Sequence, residues 1–296
     1  MPTDVPAGPT SGTRRAAVVG SPVAHSLSPV LHGAAYRALG LTGWTYERLE
    51  ADAEALPALA DALDETWVGL SVTMPGKQAA LAHAAEATSR AVAVGAANTL
   101  VRVGTGWRAD CTDVDGVTGA LRAAAGFTCS SNTSFGVVLG AGGTACAAVA
   151  GLADLGIRTV RVVAREPSRA EPVVRCAAKL GVDLEVTRWA EADHRVLAAE
   201  AAVLVNTAPA AAIEPYVPDL AAAAYVLDVI YHPWPTALAE AVMARGGRLA
   251  TGLDMLLHQA FGQVEQFTGA AAPRPAMRDA LREATGGILP LPISWP

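Results

Sequence analysis

The sequence predicts an α/β protein built on parallel sheets, and three observations carry that reading. The chain has 296 residues, which is long for one compact domain and favours two domains or one large α/β unit. Hydrophobic residues make up 52% and charged residues 17%, which supports a sizeable core and excludes a disordered or low-complexity chain. Short β-branched runs alternate with alanine-rich stretches, as expected of strands joined by crossover helices.

The strand-like runs lie at residues 15–19, 68–73, 135–139, 159–164, 203–206 and 225–229. Alanine-rich segments separate most of them; alanine favours helix but blurs the apolar period that would mark each helix end. Residues 123–153 carry no charge and are long enough to cross a bilayer. Their middle reads Val137-Val138-Leu139-Gly140-Ala141-Gly142-Gly143-Thr144, so strand, turn and helix are expected there instead of a membrane span. Proline and glycine thicken only over residues 1–13 and 270–296, which are expected to be loose ends; no repeat of fixed period occurs.

Composition also restricts partners. The 22 Lys+Arg against 28 Asp+Glu leave a net charge of −6, with no basic stripe to follow a phosphate backbone, which argues against nucleic acid. Cys111, Cys129, Cys146 and Cys176 are scattered, without C-x-x-C or a histidine at ligand spacing, so neither a metal site nor a disulfide framework is expected. A reducing cytoplasm fits this usage. The first ten residues lack a charged leader and an apolar stretch, so no export signal is expected.

Several short segments carry chemistry. In Val19-Gly20-Ser21-Pro22-Val23-Ala24-His25-Ser26-Leu27-Ser28-Pro29, Ser28 and Pro29 read as an N-cap and a first-turn proline opening a helix over 30–39. Ser28 could serve only as that cap and Ser26 only the turn; His25 reads as a structural hydrogen-bonder. Two hydroxyls at a helix N-terminus equally suit a carboxylate, because the orphan N–H groups and the macrodipole favour an anion. In Gly69-Leu70-Ser71-Val72-Thr73-Met74-Pro75-Gly76-Lys77, strand alternation puts Ser71 and Thr73 on one face. The Pro75-Gly76 turn delivers Lys77 to a helix start. Burial and a helix N-terminus lower a lysine's pKa and a nearby carboxylate raises it, so Lys77 is either poised for proton transfer or an ordinary solvated lysine. Lys77 and Lys179 are the only lysines in the chain.

Two further segments, Gly95-Ala96-Ala97-Asn98-Thr99-Leu100 and Ala109-Asp110-Cys111-Thr112-Asp113-Val114-Asp115-Gly116, place polar side chains at loop ends. Asp115 reads as the cap of a helix starting near Gly116, which leaves Asp113 as the functional candidate. Gly140-Ala141-Gly142-Gly143-Thr144-Ala145 follows an apolar strand and opens a helix, a variant of the dinucleotide phosphate loop. The next strand ends at Val163-Ala164-Arg165, where a basic residue suits the 2′-phosphate of NADP; Glu166 stands beside it and Arg169 offers a second cation. Near the end of the chain, Met255, Gln259 and Gln263 share one helix face at i+4 spacing, while Leu256, Leu257, Ala260, Phe261, Val264 and Phe267 supply apolar surface.

Taken together these segments resemble the shikimate dehydrogenase family, related to the quinate dehydrogenases, over roughly residues 15–269. The resemblance also rests on Val205-Asn206-Thr207, Asp228-Val229-Ile230-Tyr231-His232-Pro233, Thr236 and the run from Gly252 through Leu253-Asp254-Met255 to Ala260. It implies two α/β domains with a cleft between them, residues 14–113 plus 253–296 for the substrate and residues 114–252 for NADP, the second a Rossmann-type doubly wound parallel sheet. It implies reduction of 3-dehydroshikimate with NADPH in chorismate and aromatic amino-acid biosynthesis. Lys77 and Asp113 would form the catalytic pair. Ser26 and Ser28 would hold the substrate carboxylate, with Thr73, Asn98 and Gln259 reading ring hydroxyls, Ser71 beside them among the substrate contacts, and Tyr231 closing over the substrate. Gly140, Ala141, Gly142, Gly143, Thr144, Arg165, Arg169, Asn206, Thr207, Gly252 and Met255 would hold NADP. The partners implied are a small-molecule substrate and at most a second copy of the chain, as a monomer or homodimer, with no membrane and no metal. Ser71 and Cys111 each stand where the family usually has an asparagine, and Gly33 follows His32 where asparagine is common. Two other readings stay open: a quinate or quinate/shikimate dehydrogenase using NAD, and a catalytically silent NADP-binding regulatory module.

Overall fold

Twelve strands form among the described residues, which are 12–129 and 135–294 of a computed structural model. The first half supplies β1 (Arg14–Gly20), β2 (Trp44–Glu50), β3 (Trp67–Val72), β4 (Glu86–Ala87), β5 (Thr99–Val103) and β6 (Gly106–Asp110). The second supplies β7 (Phe135–Leu139), β8 (Thr159–Ala164), β9 (Asp183–Arg188), β10 (Val203–Asn206), β11 (Tyr225–Asp228) and β12 (Arg248–Thr251). The six expected strands are β1, β3, β7, β8, β10 and β11. All are rich in Val, Leu or Ala, and their central residues are buried, because helices cover both faces of a parallel sheet.

The other six strands escape the apolar-run criterion for physical reasons. β2 and β9 are edge strands that alternate with charged residues, as in Glu47, Arg48 and Glu50 or Asp183, Glu185 and Arg188. β5 and β6 form a hairpin around residues 104–105, and β5 pairs antiparallel with both β3 and β6. The first sheet, ordered β2-β1-β3-β5-β6-β4, is therefore mixed where parallel pairing was expected. A hairpin needs no crossover helix, so strand–helix alternation does not announce it.

The second sheet runs β12-β11-β10-β7-β8-β9, with every pairing parallel. Counted from β7, that is the doubly wound order 3-2-1-4-5-6, whose direction reverses between β7 and β10. The glycine loop after β7 thus opens at the switch point. The described residues of the stretch 123–153 form a helix end, β7 and the helix Gly143–Asp154, and no helix among the described residues is long and apolar enough to cross a membrane.

The helix Gly252–Thr268 joins the two halves. A capping box starts it: Asp254 N–H donates to Thr251 Oγ1, while Thr251 N–H and Oγ1–H donate to the Asp254 carboxylate at 2.9 and 2.7 Å. It crosses the helix Asp113–Ala123 where that helix carries Gly116 and Gly119. A Cβ on Gly119 would lie 2.3 Å from the His258 ring, and one on Gly116 would lie 2.8 Å from the Met255 carbonyl. Small residues let the two backbones approach closely enough to bring Asp113 and Gln259 into one site. At the far end Phe267 fills the space over Gly69 of β3.

The expectation of a loose C-terminus is corrected. Residues 270–294 add the helix Arg274–Ala284, whose Met277 and Leu281, one turn apart, are fully buried with Leu291 against the helices Ser28–Ala38 and Gly252–Thr268. The expected loose segment at residues 1–13 lies mostly outside the described residues. Gly119→Ala tests the helix crossing: overpacking there is expected to cost about 1–3 kcal/mol and lower the thermal midpoint by a few degrees, measured by calorimetry against Gly95→Ala as a strained but uncrowded control.

Candidate active site

A cavity of about 390 Å³ lies between the two sheets, walled by the ends of β1 and β3, the segment after β11, and the start of the helix Gly252–Thr268. Ser26, Ser28, Ser71, Thr73, Lys77, Asn98, Asp113, Thr144, Tyr231, Gly252, Met255 and Gln259 all line it. These residues come from seven separate stretches of the sequence, and the cavity is where the two sheets and their shared helix converge.

Lys77 is the first residue of the helix Lys77–His83, and Asp113 opens the helix Asp113–Ala123. Lys77 Nζ donates to Asp113 Oδ2, forming an ion pair that is only slightly exposed. Burial alone would depress the lysine, but the charge and hydrogen bond of Asp113 outweigh it, so the Lys77 pKa is raised above its ordinary value. Lys77 therefore stays an ammonium at neutral pH although it sits at a helix N-terminus. The second carboxylate oxygen, Asp113 Oδ1, accepts from Asn98 Nδ2 at 3.0 Å. Asn98 Nδ2 also approaches Gln259 Oε1 at 3.1 Å, while Asn98 Oδ1 accepts from the Thr112 N–H at 2.8 Å. The backbone donor on one side and the carboxylate on the other leave only one orientation for the Asn98 amide.

The two serines sit at the opposite wall. The helix begins at Ser28, and no side-chain hydrogen bond caps it, which corrects the reading of Ser28 as the N-cap. Its side chain is buried and lines the cavity. Arg48 holds the Ser26 carbonyl with Nη2 and Nε at 2.6 and 3.1 Å, fixing the serine loop. His25 lines the cavity, is exposed, and makes no hydrogen bond among the described residues, contrary to its expected structural role. Asp115 does not cap its helix either; it pairs with Arg90 Nη1 at 2.7 Å.

Tyr46 escaped the sequence reading, and Gln263 and Cys111 were named there without a place in the site. Gln263 lines the cavity and is 1% exposed, with its amide fully committed to neighbours. Tyr46 donates to Ser71 Oγ at 2.6 Å and stacks on His32 with ring centroids 4.0 Å apart. Gln263 was legible as the third residue of the Met255-Gln259 face, whereas nothing local in β2 marks Tyr46. Cys111 is a buried thiol whose pKa is pushed up to about 12 by burial, so it adds no charge beside Lys77.

The expected cofactor residues lie in several places. Thr144, Gly252 and Met255 share the cavity with Lys77. Gly140, Ala141, Gly142 and Gly143 sit next to it at the start of the helix Gly143–Asp154; Gly140 has φ +100°, and nothing lies within 4 Å of where a Cβ on Gly142 or Gly143 would stand. Open space in front of orphan amides at a switch point fits a dinucleotide pyrophosphate. Arg165 and Arg169, beyond the end of β8, are exposed and have no side-chain partner among the described residues, while Glu166 turns toward Ser168 and Arg188. Two uncommitted guanidinium groups fit a phosphate. Asn206 is completely buried, its side chain bonded to Asp228 Oδ1 at 2.9 Å and to Ala208. Thr207 donates to the Leu139 carbonyl at 2.7 Å and packs under Gly140, supporting the loop from below. No cluster of potential metal ligands occurs among the described residues.

The chain is similar to known proteins along most of its length. Residues 18–100 match the family model described as shikimate dehydrogenase substrate binding domain, and residues 252–282 match the shikimate 5′-dehydrogenase C-terminal domain. The chain is 40% identical over 281 residues to shikimate dehydrogenase (NADP(+)) of Methylobacterium radiotolerans, covering 92% of this chain and 96% of that one. Among solved structures, the shikimate dehydrogenase of Mycobacterium tuberculosis is 52% identical with a TM-score of 0.85, covering 91% of this chain and 99% of that one. The Thermus thermophilus enzyme in complex with NADP(H) and shikimate is 31% identical with a TM-score of 0.76, covering 92% and 100%.

His32, buried behind the site, generates a pH prediction. Burial depresses its pKa from 6.5 to about 3, against the opposing pull of Gln263 at 3.4 Å. The unfolded chain binds a proton there near pH 6.5 and the folded chain does not, so this contribution to stability is intact above pH 6.5 and is lost as pH falls toward 3. Thermal midpoints of wild type and His32→Phe measured from pH 8 to pH 4 are therefore expected to converge or cross on acidification, the wild type losing ground below pH 6.5. A difference independent of pH would contradict the buried neutral imidazole.

Proposed function

Because the chain belongs to the shikimate dehydrogenase family, we propose that its cavity carries out the reversible, NADP-dependent interconversion of 3-dehydroshikimate and shikimate, a step of chorismate and aromatic amino-acid biosynthesis. The observation that carries this reading is the Lys77–Asp113 ion pair, set in a cleft whose other wall is the start of a dinucleotide-binding sheet. In this reading residues 14–113 with 253–296 hold the substrate, and residues 114–252 hold the cofactor. Free cations at Arg165 and Arg169 support NADP over NAD.

Bound NADPH supplies the hydride that reduces the ring ketone. The chain supplies the rest. As negative charge develops on the ring oxygen, a preplaced ammonium beside it stabilises that charge and delivers the proton that completes the alcohol; Lys77 takes this role. Asp113 keeps Lys77 charged before the step and aims it. Ser26 and Ser28, at the N-terminus of the helix Ser28–Ala38, receive the substrate carboxylate with help from the helix dipole. Thr73, Asn98 and Gln259 converge from three elements to read the ring hydroxyls, and Tyr231 and Met255 cover the cavity from the nucleotide side. Ser71 stands beside them with its hydroxyl already bonded to Gln263 and Tyr46.

The reading includes a small-molecule substrate, a monomer or homodimer, and a reducing cytoplasm, which fits the buried thiols of Cys111, Cys146 and Cys176. A silent regulatory module would have no reason to keep Lys77 charged and aimed.

Lys77→Ala is expected to lower kcat by about 100-fold or more with KM little changed; an unchanged kcat with a raised KM would make Lys77 a binding group only. Initial rates with shikimate and quinate, each with NADP and NAD, are expected to give the highest kcat/KM for shikimate with NADP. Preference for quinate with NAD would replace this substrate and cofactor assignment.

A further inference from the structure

Gln263 lies one helical turn beyond Gln259 and is held from four directions. Its Nε2 donates to the Asn98 carbonyl and to Thr99 Oγ1, both at 3.0 Å. Its Oε1 accepts from Ser71 Oγ at 2.8 Å and faces His32 Nε2 at 3.4 Å. The shortest contacts in this cluster form a chain of donors and acceptors. The Tyr46 hydroxyl donates to Ser71, Ser71 donates to Gln263, Gln263 donates to Thr99, and Thr99 Oγ1 donates to Asn98 Oδ1 at 2.9 Å. With Oδ1 held on that side, Asn98 turns its Nδ2 to Asp113 Oδ1, Gln259 Oε1 and Thr112 Oγ1. Asp113 in turn holds Lys77.

We propose that Gln263 is a positioning residue for the reaction: through Thr99 and the Asn98 backbone it fixes the asparagine amide that orients Asp113, and so the aim of Lys77. The inference deepens the functional reading above and rests on it. Gln263 need not touch the substrate. Its glutamine chemistry is required because one end of the amide must accept from Ser71 while the other donates to Thr99 and Asn98; a carboxylate of the same shape offers only acceptors, and an apolar residue offers neither. The Thr112 N–H also holds Asn98 Oδ1, at 2.8 Å, so the relay through Gln263 and Thr99 acts together with that backbone donor, and losing a link loosens the amide without releasing it. The same arrangement explains Ser71. Its only proton is spent on Gln263, so toward a ligand this hydroxyl can accept and cannot donate.

Gln263→Glu, Gln263→Leu and Thr99→Val would be compared with wild type for kcat, KM and NADPH affinity between pH 5 and 9. Each is expected to lower kcat about 10- to 100-fold at neutral pH, with KM and NADPH affinity within about threefold, as misplaced chemistry predicts. Thr99→Val added to Gln263→Leu is expected to cost little more than Gln263→Leu alone. The ratio of Gln263→Glu to wild type should rise on acidification, as the new carboxyl takes a proton and regains a donor, while the ratio for Gln263→Leu stays flat. Wild-type kcat in Gln263→Glu at neutral pH, a raised KM with unchanged kcat, or additive losses in the double variant would overturn the relay. If Gln263→Leu does not fold, the near-isosteric Gln263→Glu and Thr99→Val carry the same test. Absence of turnover by the unmodified chain overturns the functional reading; turnover by the variants at the wild-type rate overturns the relay alone.

Discussion

A lysine ammonium held in a largely buried cleft by a single carboxylate is the constraint on which this molecule depends. Burial and the N-terminus of its own helix both oppose the charge on Lys77, and Asp113 outweighs them. The two residues are 36 positions apart and sit on the first residues of two different helices. For their side chains to meet, the turn at Pro75-Gly76 must deliver one helix and the hairpin of β5 and β6 must deliver the other to the same place. The glycines at 116 and 119 then let the helix Gly252–Thr268 pack closely enough to bring Gln259 into the group.

The division of labour between the sheets follows from strand direction. In the second sheet every strand is parallel, so all its loops with free amides open at one edge, and the order reversal between β7 and β10 leaves room there for a dinucleotide. The first sheet breaks that uniformity with an antiparallel pair, and this break lets Asn98, at the entrance to β5, face Ser71 and Thr73 at the exit of β3. A purely parallel sheet would have sent residues 98 and 71 toward the same edge only through another crossover. The long helix from Gly252 then belongs to both halves, with Met255 at the nucleotide side and Gln263 deep on the substrate side.

Much of this was legible in the sequence because it depends on local rules. The glycine loop after residues 135–139, the lysine after Pro75-Gly76 and the paired serines before Pro29 each combine a backbone requirement with a chemical group, and each falls where expected. What was not legible depends on partners distant in sequence. β2 looks like a polar segment until it is seen as an edge, and Tyr46 gains a role only through Ser71, 25 residues away. Asn206 was named for the cofactor only through the family resemblance, and its amide bonds Asp228, 22 residues away. The C-terminal prolines suggested a loose tail, while Met277 and Leu281 one turn apart bury it. Local composition marks where chemistry can happen, and tertiary hydrogen bonds decide which polar groups remain free for it.

The chain has only two lysines, Lys77 and Lys179, which makes the central ion pair directly observable. Nitrogen-15 NMR of protein labelled at lysine would show two side-chain signals, assigned by Lys179→Arg. The account predicts that Lys77 titrates above the ordinary lysine range and that Asp113→Asn brings it below that range, where burial acts unopposed. A Lys77 titration at the ordinary value, or one that Asp113→Asn leaves in place, would contradict it.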